Sequence, residues 1–187
     1  QVDTICLGDS ITFLNSSYNA SSFYWDFGDG NNSSLTNPTH TYLTPNNYLV
    51  SLIANNIYGC ADTISDSVVV FPQPTANFFA DTICFGDSTS FTNSSVGAFA
   101  FAIWDYGDGS PLDTVNNLSF NKYYSAHGAF LVSLKIINAN GCVDSINKTV
   151  IVRPTAVALF NPQVDTICLG DSITFLNSSY NASSFYW

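Results

Sequence analysis

Residues 1–25, QVDTICLGDSITFLNSSYNASSFYW, return letter for letter at 163–187, an offset of 162 residues. A looser repeat lies inside that period. DTICLGDSITFLNSS at 3–17 returns as DTICFGDSTSFTNSS at 81–95, YWDFGDG at 24–30 as IWDYGDG at 103–109, and YLVSLIANNIYGCADTI at 48–64 as FLVSLKIINANGCVDSI at 130–146. The unit is therefore about 80 residues, and two diverged units make one period. The sequence stops at Trp187 inside a motif that continues as DFGDG in the first copy. It starts at Gln1 without the PTAVALFNP that precedes the same residues at 154–162. A window on a longer array is the expectation, with residues 1–72 forming a module that lacks its first strand, 73–154 a complete module, and 155–187 the start of a third.

An 80-residue unit can bury only a small core, so a covalent staple is useful. Five cysteines recur at fixed places in the repeat, which suits an oxidising, extracellular or cell-surface setting. The chain has no Glu and only four basic residues, with a net charge of −10. That balance argues against nucleic acid and against anionic membrane surfaces as partners, and the sequence holds no run suited to membrane insertion. Strong helix formers are scarce, while Phe, Tyr, Thr, Val and Ile abound.

Alternation sets the strands. Tyr48, Val50, Leu52 and Ala54 share one face, as do Phe130, Val132, Leu134 and Ile136, with Ser133 and Lys135 on the other; period two means a strand with one buried face. Asn140-Gly141 marks a hairpin, with Tyr58-Gly59 in its place in the first unit. Strands are predicted near 75–80, 88–93, 100–106, 117–124, 128–138 and 142–152. Many short strands with turns every 8–12 residues imply an all-β sandwich. The connection VFPQPTANF around residues 70–78 is short, and Pro72 and Pro74 stiffen it, so the modules are expected end to end with limited bending.

Trp-Asp-Phe-Gly-Asp-Gly at 25–30, Asn-Pro-Thr-His-Thr-Tyr at 37–42 and Tyr-Leu-Val-Ser-Leu at 48–52 resemble the signature of PKD (polycystic kidney disease-type) domains. The second unit keeps Trp104, Asp105, Tyr106, Gly107, Asp108 and Gly109 but has Leu-Ser-Phe-Asn-Lys-Tyr-Tyr at 118–124. The resemblance implies tandem immunoglobulin-like sandwiches. The CxGD…NGC variant resembles modules of very long Bacteroidota surface proteins, including adhesins. A structural reading of the signature follows from its chemistry. Trp25 and Phe27 supply apolar area, Gly28 and Gly30 admit positive φ, and Asp29 bonds its own turn; Asp26 either does the same or faces solvent.

No catalytic site is expected. His40 and His127 do not recur between units: His40 aligns with Lys122, and Pro45 with His127. No G-x-S-x-G or H-E-x-x-H occurs. No metal or other cofactor is expected either, because the turn aspartates have a sufficient role as turn formers, although some PKD modules bind calcium and these turns carry acidic oxygens. No C-x-x-C pair suggests zinc. Outside the two turns, every Asp is followed by Ser or Thr and then Ile, Val or Thr. This resembles an O-glycosylation acceptor pattern, with Thr4, Ser10, Thr63, Thr82, Ser88, Ser145, Thr166 and Ser172 as candidates; ordinary strand starts multiplied by duplication account for it equally. Residues 1–121 hold no Lys or Arg, so a Lys–Asn isopeptide crosslink is impossible in the first unit.

The cysteines leave two pairings open. Within modules, Cys6 would join Cys60 and Cys84 would join Cys142. An immunoglobulin-like topology objects, because the first loop and the last hairpin lie a strand length apart, roughly 20–26 Å, whereas a disulfide needs Cα atoms within about 7 Å. The topology therefore leans toward Cys6–Cys142, between neighbouring modules, with Cys84 expected to bond the hairpin cysteine of the third module. Two function classes remain in view. One is a stiff spacer in a surface fibre or adhesin, whose partners are neighbouring modules and, for lateral assembly, other copies. The alternative is a carbohydrate-binding accessory of a secreted polysaccharide-degrading enzyme, whose partner is surface polysaccharide.

Overall fold

The computed structural model describes residues 3–186, and every regular element among them is a strand. In the first repeat these are β1 (Asp3–Cys6), β2 (Ser10–Thr12), β3 (Ser22–Asp26), β4 (Asn32–Ser33), β5 (Thr39–Thr41), β6 (Asn46–Asn55) and β7 (Ala61–Phe71). The second contains β8 (Phe78–Ala80), β9 (Ile83–Cys84), β10 (Thr89–Asn93), β11 (Phe101–Asp105), β12 (Asp113–Thr114), β13 (Ser119–Lys122), β14 (Gly128–Ile137) and β15 (Val143–Arg153). Two further strands, β16 (Phe160–Pro162) and β17 (Phe175–Asn177), complete the set.

The first repeat builds a sheet in the order β1-β7-β6-β3-β4 and a pair β2-β5. The second repeats the plan as β12-β11-β14-β15-β9 with β13-β10-β8. The long antiparallel β6–β7 ladder places Tyr48 opposite Val68 and Leu52 opposite Ile64, and β3 adds Trp25 opposite Leu52. Because side chains alternate along each strand, this register gathers Trp25, Phe27, Tyr42, Tyr48, Val50, Leu52, Val68 and Val70 into one core. In the second repeat Phe78, Phe91 and Trp104 are fully buried. Their rings meet edge to face, with Phe78–Trp104 centroids 5.1 Å apart.

The predicted strands all form, and several shorter ones appear beside them. The Asp-Thr-Ile-Cys segments, read in sequence as the loop after the first strand, are short strands running parallel to the last strand of their repeat: β1 on β7 and β9 on β15. Four and two residues are too few for alternation to reveal, and their pairing is entirely non-local.

Contacts divide the described chain into two compact units that do not coincide with the sequence repeats. One holds the chain up to Asn77 together with Ser95–Ile103 and Lys135–Ser145. The other holds Phe78–Ser94, Trp104–Leu134 and the chain from Ile146 onward.

Candidate functional site

Two constructions stand out, a turn that organises each repeat and a stapled segment in the first compact unit. The turn follows β3 or β11. Asp26 Oδ1 accepts from the Gly28 amide at 2.9 Å and Asp29 Oδ1 from the Asn31 amide at 3.0 Å. Asp105 and Asp108 do the same for Gly107 and Ser110, so the first aspartate of the motif caps its turn, and Asp26 does so while also facing solvent. Gly28 and Gly107 have φ of 78° and 69°, and a Cβ at either would lie 2.5 Å from the carbonyl oxygen of Leu49 or Leu131. Glycine is needed there for both conformation and space.

The second turn aspartate of each repeat meets a side-chain nitrogen of a basic residue. His40 Nε2 lies 2.8 Å from Asp29 Oδ2, and Lys122 Nζ lies 3.0 Å from Asp108 Oδ2. His40 stacks on Phe27 at 4.2 Å between centroids, whereas Lys122 sits 4.6 Å above the Tyr106 ring. His40 does not recur as a residue, but its position does, filled in the second repeat by Lys122. Burial opposes ionisation of Asp29, but the Asn31 amide and His40 outweigh it and hold the carboxyl below its ordinary value. At Asp108 burial is likewise outweighed, by the Ser110 hydroxyl and amide and by Lys122. Tyr42 and Tyr124 donate their hydroxyls to the carbonyls of Phe27 and Tyr106, and burial pushes both phenols well above their ordinary range. No group of three or more His, Cys, Asp or Glu suited to a metal ion occurs among the described residues.

The stapled segment joins residues far apart in sequence. Cys6 and Cys142 form a disulfide with Cα atoms 5.6 Å apart, across 136 residues. The register of β1 on β7 explains why Cys6–Cys60 cannot form. Cys6 lies opposite Phe71, while Cys60 precedes Ala61 at the other end of an 11-residue strand. That separation is roughly 33 Å. The within-module alternative is thereby excluded, and Cys84, like Cys60 and Cys168, is free and exposed.

Around the disulfide, residues 72–76 lie against the hairpin that leads into β15. Asn138 Nδ2 donates to the Pro72 carbonyl at 3.0 Å, Gln73 Nε2 to the Val143 carbonyl at 2.5 Å, and the Ala76 amide to Asp144 Oδ2 at 2.7 Å. Asn138 Oδ1 also accepts from the Asn140 and Cys142 amides, and Asn56 repeats this with Tyr58 and Cys60. These asparagines are not evident from apolar alternation or from the PKD signature. Their signal was present as Asn-x-x-Gly-Cys-x-Asp at 56–62 and 138–144.

Of the glycosylation candidates, Thr4, Ser10, Thr63, Thr82, Ser145, Thr166 and Ser172 are exposed and Ser88 is half-buried. Asp9 and Asp171, which precede two of them, have a structural task. Each accepts from the amide of the cysteine three residues earlier.

Largely antiparallel sheets of this order in each repeat make the chain a pair of immunoglobulin-like sandwiches. A family model for the PKD domain matches residues 2–70 and again 72–154, and the chain belongs to that family. It is 41% identical over 71 residues to a microbial collagenase of Vibrio alginolyticus, a match covering 34% of this chain and 8% of that protein. It is 25% identical over 155 residues to human Polycystin-1, covering 62% and 3%. The chain thus spans less than a tenth of either relative. Among solved structures, it is similar to the PKD1 domain of Vibrio anguillarum Epp, at 26% identity and a TM-score of 0.39 over 44% of this chain and 96% of that one. It is also similar to fibronectin(III)-like modules of Clostridium thermocellum CbhA, at 14% identity and a TM-score of 0.40 over 82% and 90%. PKD membership and a disulfide both fit an extracellular protein.

Proposed function

We propose that this chain is a length of shaft from a long bacterial surface fibre or adhesin, in which the modules act as stiff spacers. The observation that carries the reading is the Cys6–Cys142 disulfide between residues of consecutive repeats, set beside the hydrogen bonds of residues 72–76 to the 138–144 hairpin. A linker held by side-chain hydrogen bonds and closed by a covalent bond has little freedom to bend. Near-identical repeats suit the same role, because the energetics of such arrays are nearest-neighbour and length is added without redesign.

The test is the flexibility of the oxidised chain against a Cys6→Ser, Cys142→Ser double variant, by small-angle scattering and single-molecule extension. The oxidised chain should hold one end-to-end distance, and the variant should populate a broader range. Equal distributions in the two would end the spacer reading.

A further inference from the structure

The first repeat carries a groove of about 750 Å³ with apolar and polar walls, lined in part by Phe13, Trp25, Leu52, Asn56, Cys60 and Asp62. The second repeat shows what fills the equivalent space. There β8 pairs with β10, Phe79 opposite Thr92, with Phe78 fully buried, whereas the matching sheet of the first repeat holds only β2 and β5. The consequence is visible along the last strand. Ile64 is 69% exposed, while its counterpart Ile146 is half-buried.

The chain also contains the strand that fits. Residues 163–187 are identical to 1–25, and in that second occurrence Phe175–Asn177 pairs with Phe160–Pro162. Phe175–Asn177 are the same residues as Phe13–Asn15 at the groove. The segment Pro-Thr-Ala-Val-Ala-Leu-Phe at 154–160 is the counterpart of Pro-Gln-Pro-Thr-Ala-Asn-Phe at 72–78. Both open the next repeat the same way: Thr75 bridges Val96, and Val157 bridges Tyr180.

The receptor side is duplicated as well. Asn138, Cys142 and Asp144, which hold residues 72–76 and Cys6, correspond to Asn56, Cys60 and Asp62 at the rim of the groove. One pair differs in a compensating way. Lys148 lies 5.2 Å over the Phe79 ring, and the corresponding residues are Asp66 and Asn161. In a junction built the same way, a carboxylate and an amide donor would stand where the cation and the aromatic ring stand here. On the donor side, Cys84 repeats the setting of Cys6. It closes a strand parallel to the last strand, opposite Arg153 as Cys6 is opposite Phe71, and its carbonyl accepts from the Asp87 amide as that of Cys6 does from Asp9.

We infer that the groove of the first repeat is the receptor for a strand of the sequence found at 154–162, supplied by a further copy of the repeat, and that Cys60 is closed onto that copy's counterpart of Cys84. The strand would add by main-chain pairing, with the phenylalanine filling the pocket beside Trp25. Closure removes two protons and two electrons from the two thiols; oxidised glutathione accepts them and leaves as two molecules of reduced thiol. The two kinds of junction would then alternate along an array, Cys6–Cys142 and Cys84–Cys60. The inference rests on reading the chain as a repeat segment.

The test is this chain lengthened by a copy of residues 73–162 ahead of Gln1, refolded in oxidised and reduced glutathione and digested with pepsin without reduction. The expected result is a peptide pair linking Cys60 to the added counterpart of Cys84, with Cys60 lost to alkylation by iodoacetamide. Cys6–Cys142 in the same digest reports that the chain has folded. In a companion chain carrying Phe160→Asp in the added copy, Cys60 should become alkylatable again. Folded material in which Cys60 stays free, or pairs with another cysteine, overturns the inference. Such a result in a chain that is nevertheless stiff leaves the spacer reading intact; a closed Cys60 in a chain that bends freely sinks the spacer reading instead.

Discussion

Gly28 and Gly30 sit two residues apart in the same turn, both at positive φ, yet they face different constraints. A Cβ at Gly28 would collide with the Leu49 carbonyl, whereas one at Gly30 meets nothing within 4 Å. Gly30→Ala should therefore cost about 1 kcal/mol of conformational strain. Gly28→Ala adds a backbone displacement and should cost on the order of 2–4 kcal/mol. Urea midpoints for the two variants give the comparison, and equal losses would show that the close approach is not limiting. The turn carboxylates set the acid limb of stability. Asp29 and Asp108 titrate below their ordinary value of 3.8 in the fold. A depressed folded value means the stabilisation is complete above the unfolded value and is lost as pH falls through the folded one. Unfolding midpoints should hold steady down to about pH 5 and then decline. An Asp29→Asn, Asp108→Asn variant should be weaker near neutrality and decline less in acid. A decline as steep as the parent's would place the acid sensitivity elsewhere.

At the scale of elements, the two hairpins offer an internal control. Asn56 and Asn138 cap their hairpins with the same pair of backbone bonds, and Asn138 also donates to the Pro72 carbonyl. Asn138→Ala should cost about 2–3 kcal/mol and Asn56→Ala about 1–2 kcal/mol, since each lost bond of this kind is worth about 1 kcal/mol and a buried amide left unpaired costs more. Chemical denaturation separates them, and identical losses would mean the Pro72 bond contributes nothing. The strands themselves were legible wherever apolar alternation ran for five or more residues, as in β6 and β14. β1 and β9 were not, because a two- to four-residue strand is specified by its partner rather than by its own pattern.

For the whole molecule, two measurements bear on compactness. Tryptic sites are confined to Lys122, Lys135, Lys148 and Arg153. Lys122 is tied to Asp108, Lys148 donates to the Phe78 carbonyl, and Arg153 closes β15 immediately before Pro154. Native chain should resist trypsin for hours under conditions that digest the urea-unfolded chain in minutes, and rapid native cleavage would contradict the ladders that enclose these sites. Reduction removes a cross-link spanning 136 residues and should lower stability by about 2–5 kcal/mol. Calorimetry with and without dithiothreitol measures it, and an unchanged unfolding temperature would show that the staple acts on stiffness alone.

By itself the sequence determined the repeat, the β class, the two aspartate turns and part of each core, because duplication, alternation and turn chemistry are written in neighbouring positions. Tertiary structure decided which of the two open cysteine pairings forms and which side chain answers each turn aspartate. Those outcomes depend on strand register. Placing Cys6 beside Phe71 rather than beside Ala61 is settled by a parallel pairing between segments more than 60 residues apart, and no local pattern encodes which end of β7 that strand will reach.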